Sequence, residues 1–214
     1  MFKLNKDILF LIFEELQDDS KSLFSCLMIN KIWCETVIPV LWRNPWRYGI
    51  DYSSKSYLFT IFISYLPNDI KEFLVSEGIQ LPSASSQLLL FDYLSFCKSI
   101  NAKIMNRIIS TGTSSDYDQF LLQQEFYNIL MKKCPELKYL DMESIKHQIF
   151  YLPEAKSLDS LCELICDTST DPSYFYGLTS ICRYIQRIII RFINCIMIIR
   201  IIIIIIINKV IFVY

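Results

Sequence analysis

The chain has 214 residues, 53% of them hydrophobic, which is room for one ordinary domain plus a small one and a high apolar load for a soluble protein. Its formal net charge of −1 excludes the global basic field of a nucleic-acid binder. Only four glycines occur (Gly49, Gly78, Gly112 and Gly177), and no glycine-rich phosphate loop or dinucleotide fingerprint is present.

The first element opens at Leu4-Asn5-Lys6-Asp7-Ile8-Leu9. Asn5 is placed to cap the free N–H groups of a first helical turn. Leu4 and Leu9 take the two positions of a hydrophobic staple, and Asp7 sits near the positive end of the helix dipole. The helix continues through Ile8, Ile12, Phe13 and Leu16, spaced to make one apolar face. Asp18-Asp19-Ser20 breaks the pattern and supplies the next cap. A second short helix turns Leu23, Phe24, Cys26 and Leu27 inward. Asn30 marks another break, and a third helix carries Ile32, Trp33 and Val37, with Pro39 expected to end it. Leu41-Trp42 closes the block. Three helices of roughly ten residues each give a very thin core. Their apolar residues exceed what the helices can hide from one another, which implies a partner surface over the remainder.

Three strings in this block carry a family pattern: Leu4 to Leu16, then Ser25-Cys26-Leu27-Met28-Ile29-Asn30-Lys31-Ile32-Trp33, then Val40-Leu41-Trp42-Arg43. In composition, order and spacing they resemble an F-box, which opens Leu-Pro-x-Glu-Ile/Leu, proceeds to Leu-x-x-Val-Asn/Ser-x-x-Trp and ends near Leu-Trp. Asn5 stands where the family usually has proline, and Ile29 where valine is common. The continuation Arg43-Asn44-Pro45-Trp46 resembles the F-box families of filamentous, root-associated fungi. The strong motif covers about a fifth of the chain, and residues 1–46 are read as the F-box unit. The resemblance implies a substrate receptor that docks on a Skp-type adaptor and, through it, a cullin. It also implies that Leu4, Ile8, Ile12, Leu16, Leu27, Ile29 and Trp33 lie in or beneath the adaptor-facing surface, some of them as core only. Trp33 and Trp42 are either core filler or aromatic anchors of that interface.

Residues 47–134 read as a mostly helical linker or cap. Tyr57–Leu66 is an apolar run of only about ten residues, too short to span a bilayer. Pro67-Asn68-Asp69 starts a segment over Ile70–Val75. Leu88 to Phe96 reads as a strongly apolar, largely buried helix. Asn101 restarts a helix through Ile104, Met105, Ile108 and Ile109, Thr111–Asp118 reads as a loop, and Phe120–Cys134 as an amphipathic helix ending before Pro135. From Leu137 the texture changes. Leu137-x-x-Leu140-x-Met142, Leu161-x-x-Leu164-x-Cys166 and Ile185-x-x-Ile188-x-Ile190 recur at equal lags, from 137 to 161 and from 161 to 185. A period of about 24 residues lies within the range of leucine-rich repeats. Residues 135–190 are therefore read as a short run of repeat-like units needing neighbours stacked against them.

The tail, 191–214, is abnormal: from 188 onward more than half of the positions are isoleucine, including an unbroken Ile201–Ile207. This composition fits translation of AT-rich noncoding sequence. A membrane anchor fits less well, because Phe192–Ile207 falls short of the roughly 20 residues a spanning helix needs and contains Arg200. A genuine buried segment is the third reading, and any tail of this kind is an aggregation hazard.

Eight scattered cysteines without a Cys-x-x-Cys pair, behind an N-terminus with no signal peptide, read as reduced and mostly buried thiols. Cys162 and Cys166 could sit one helical turn apart, but His147, the sole histidine, does not complete a zinc site. His147 reads as solvated, Asp18-Asp19 as capping residues, and Glu14-Glu15 as facing solvent or a basic partner. No catalytic, cofactor or metal arrangement is expected, and neither is a nucleic-acid or membrane partner. The fold class expected is mainly α: a three-helix F-box, a helical middle, then the start of a short α/β leucine-rich-repeat-like solenoid. The expected function is non-catalytic, a cytoplasmic or nuclear receptor presenting an unidentified target for ubiquitination. The alternatives are a repeat scaffold whose N-terminal helices are only a cap, with or without a membrane tether, and a truncated fragment.

Overall fold

The computed structural model describes residues 4–48, 57–82, 89–113, 115–143, 145, 155–167, 178 and 182–191. It is mostly helical, with one small parallel sheet. His147 and the isoleucine-rich segment beyond Arg191 lie outside the described residues.

The N-terminal block is three helices: α1 (Lys6–Glu15), α2 (Ser20–Cys26) and α3 (Lys31–Arg43). Asn5 takes the cap position of α1, but through its backbone alone; its carbonyl accepts the Leu9 N–H at 3.0 Å and its side chain makes no capping bond. Asp19 caps α2, accepting from Ser22 N at 3.2 Å and from Ser22 Oγ at 2.6 Å. Asn30 caps α3, accepting from Trp33 N at 3.1 Å. Leu9, Phe13, Leu23, Cys26, Val37, Val40 and Leu41 form a small core of their own.

Pro39 does not end the third helix, contrary to the sequence expectation; α3 runs on to Arg43 with Pro39 inside it. An interior proline removes one hydrogen bond and costs about 3 kcal/mol. Val37, Ile38, Val40 and Leu41 are buried on either side of it. At about 1.5–3 kcal/mol for each buried aliphatic side chain, their packing outweighs that cost.

The middle of the chain supplies α4 (Tyr57–Tyr65), α5 (Asn68–Ser76), α6 (Ala102–Ser110) and α7 (Asp116–Lys133). Helix α7 starts inside the stretch read as a loop, because Ser115 caps it, accepting from Asp118 N at 3.0 Å. Over the described part, 89–96, the expected buried helix is not there. From residue 89 onward the chain bends, makes a 3-10 turn at Tyr93–Phe96 and enters a strand, with Leu90 87% exposed. Asp92 fixes the turn. Its carbonyl accepts from Ser95 N and Oγ, while its carboxylate is held by Tyr65 Oη at 2.9 Å and Lys133 Nζ at 3.3 Å. These tertiary bonds tie the segment to α4 and α7.

The sheet comprises β1 (Ser99–Asn101), β2 (Tyr139–Asp141), β3 (Glu163–Asp167) and β4 (Arg187–Arg191), all parallel and adjacent in sequence order. Tyr139 pairs with Glu163, which pairs with Arg187, so the register advances by the same length of chain at both steps. The entry to each strand repeats one device. The carbonyl of Lys98 accepts two backbone N–H groups from the next strand's entry, and the carbonyls of Lys138 and Cys162 do the same. Ile100, Leu140, Leu164 and Ile188 stack in register on the inner face, each buried. They join a large core with residues of α4, α6 and α7. Alternation along each strand then leaves Tyr139, Glu163 and Arg187 on the opposite face.

The two cores meet at the end of α3. Trp42 packs against both, its ring 4.6 Å from Tyr93. Trp46 donates from Nε1 to the Ser99 carbonyl at 2.7 Å, and Lys98 N donates to the Arg43 carbonyl at 2.9 Å. The three-helix block is therefore joined to the first strand of the sheet.

Candidate functional site

Helix α1 is apolar on two sides. Leu9 and Phe13 are buried and Leu16 is half-buried against the small core. Leu4, Ile8, Leu11 and Ile12 point the other way, and Ile8 and Ile12 are 48% and 40% exposed. Their spacing keeps them on one side of the helix. The end of α2 and the start of α3 add Phe24, Met28, Ile29 and Ile32, also exposed. Among the described residues, eight of the fifteen exposed large apolar side chains fall between positions 4 and 32. The Phe13 and Trp33 rings meet edge to face at 5.5 Å, so α1 and the start of α3 pack directly against each other.

The seven candidate residues separate into two groups. Leu4, Ile8, Ile12 and Ile29 are exposed, whereas Leu16, Leu27 and Trp33 pack against the small core. Leu11, Phe24, Met28 and Ile32 are exposed as well and are not among the sequence candidates. The sequence reading turns Phe24 inward; in the structure it lies 43% exposed with its ring against Tyr48 at 6.2 Å. The signal for these four lies in the excess of apolar residues over three short helices, which does not say which side chains are left outside.

The charged residues of the block hold its shape. Glu14 bonds Arg43 at the far end of α3, and Asp18 pairs with Arg47, so two of the acidic residues are tied inside the block. The Asp19 carboxyl is held below the ordinary carboxylate range by its bonds from the Ser22 hydroxyl and N–H.

Cys162 and Cys166 do not sit a helical turn apart; Cys166 is in β3 and Cys162 immediately precedes it. Burial pushes the Cys166 and Cys182 thiols up to about 12, so both stay protonated and poorly nucleophilic at neutral pH. Cys97 and Cys134 are buried beside each other, their sulfurs donating to the carbonyls of Ser99 and Leu94. Among the described residues no helix is long and apolar enough to cross a membrane. The chain matches no family profile, no curated protein and no solved structure.

Proposed function

We propose that the chain is a non-catalytic substrate receptor that docks on a Skp-type adaptor, and through it a cullin, by the apolar surface of its first three helices. The observation that carries this reading is the concentration of exposed apolar side chains on α1 and around the α2–α3 junction. Apolar side chains exposed in this number are costly in water and mark a place where another protein sits. The F-box resemblance of the same residues supplies the identity of that protein. In this reading the remainder of the chain is a short leucine-rich-repeat-like solenoid that holds a target for ubiquitination. The equal register steps of β2, β3 and β4 support that part. The receptor acts by raising the effective concentration of target lysines near the conjugating enzyme. It works in the cytoplasm or nucleus.

A second reading has an observation of its own. The bonds from Trp46 and Arg43 to the start of β1 attach the three helices where a solenoid's terminal cap belongs, so the block could serve only as a cap. Co-purification of the full chain with a Skp-type adaptor separates the two. Stoichiometric association that is lost with Ile8→Glu supports the receptor. A folded chain with no affinity for the adaptor leaves the cap.

A further inference from the structure

We propose that a cavity of about 260 Å³ on the outer face of the sheet binds a basic side chain, an arginine or lysine presented by a peptide. The cavity lies where the turn after α3 overhangs β1, β2 and β3, and it is separate from the apolar surface of α1. Its volume falls just under the range of pockets for drug-sized ligands, which suits one side chain rather than a cofactor.

Two independent observations point to a ligand. The first is Ser99, which lines the cavity, is only 4% exposed, and has a hydroxyl with no hydrogen-bond partner among the described residues. An unmade hydrogen bond at a buried hydroxyl is a standing cost that an incoming N–H donor removes. The second is the charge on the walls. Asp141 and Glu163 both line the cavity, and as carboxylates they only accept hydrogen bonds. Asp141 is fixed in place by bonds from Asn101 Nδ2 and Glu143 N, each at 3.0 Å. Glu163 meets Arg187 at 3.3 Å, so an incoming cation shares that carboxylate rather than owning it. Arg47 is the basic residue on the wall, and its charge is engaged outward by Asp18. Arg47 is offset by Asp18 and Glu163 is shared with Arg187, so Asp141, its charge tempered by Arg191 and Lys103, is the carboxylate on the wall that attracts a cation and repels an anion. Tyr139, half exposed on the same wall, offers an aromatic ring to the flat or methylene-rich part of the guest.

The test uses the full chain and two probes, N-acetyl-arginine methylamide and its uncharged counterpart N-acetyl-citrulline methylamide, with the Ile165 methyl group in the cavity wall followed by NMR. The arginine probe is expected to shift that signal saturably, with a dissociation constant of about a millimolar, and citrulline to bind about tenfold more weakly or not at all. Glu163→Gln and Asp141→Asn should each weaken the arginine probe about three- to tenfold, while Glu72→Gln on the exposed side of α5 leaves it unchanged. Ser99→Ala separates recognition from folding. It removes an unsatisfied group, so the free protein stays as stable as before or gains, yet binding falls about two- to tenfold. Equal binding of the two probes, unchanged binding in Ser99→Ala, or a response to inorganic phosphate in place of arginine would overturn the assignment.

Discussion

Gly112 shows how tightly single residues are held in the large core. A Cβ placed there would collide with the Phe59 ring. Phe59 is itself buried and rests 5.8 Å from Phe126, so its ring has nowhere to retreat. Gly112→Ala is expected to lower the unfolding free energy by about 1–3 kcal/mol, read from urea denaturation. Asp141 gives a residue-scale effect of opposite origin. Burial raises its carboxyl above the ordinary 3.8, so the folded protein favours the protonated form. A raised acid contributes its stability at low pH and loses it as pH rises from the unfolded value through the folded one. Unfolding followed between pH 3 and 7 should show a decline over that window that flattens in Asp141→Asn. The caps were legible at this scale: Asp19 and Asn30, read as breaks, accept from backbone N–H groups three residues on. Asn5 was legible as a position but not as a bond: its carbonyl starts the helix, while its side chain makes no capping bond.

Helix α1 is the element on which function and stability divide. Its inward row and its outward row are both apolar, but only Leu9 and Phe13 are in the core. Phe13→Ala should cost about 3–5 kcal/mol. Ile8→Glu and Ile12→Glu should cost far less, about 1 kcal/mol or under, since both side chains are partly exposed and lie outside the small core. Parallel urea melts of the three variants check the contrast. A similar argument applies to the strand ladder: Leu164 is buried between Leu140 and Ile188, and Leu164→Ala should cost about 2–5 kcal/mol. The register of β2, β3 and β4 could be read from the equal lags of Leu137, Leu161 and Ile185, whereas the pairing of Ser99 with Tyr139 that adds β1 could not. Nor could the turn at Tyr93–Phe96. Leu88 to Phe96 carries enough apolar residues for a helix, while the bonds that hold Asp92 at the start of the turn come from Tyr65 and Lys133, far away in sequence. Pro39 failed as a stop signal for a related reason, since local preference gave way to buried neighbours on both sides.

At the scale of the whole molecule, two cores share one chain. The small one holds the three helices, the large one holds the sheet and the helices packed on it, and Trp42 touches both. The bonds from Trp46 Nε1 to the Ser99 carbonyl and from Lys98 N to the Arg43 carbonyl join the two beside Trp42. That the first block has surplus apolar surface was evident from composition and periodicity; which side chains form it depended on how α1 turns against α3. The central claim is that another protein covers Leu4, Ile8, Leu11, Ile12 and Ile29. Titration calorimetry of the purified full chain against a Skp-type adaptor tests it most directly. The account predicts one-to-one binding with a negative heat-capacity change, weakened at least a hundredfold in the Ile8→Glu, Ile12→Glu double variant, by analogy with buried interface anchors at about 2 kcal/mol or more each. A folded chain that gives no heat of binding, or a double variant that binds as the parent does, would contradict it.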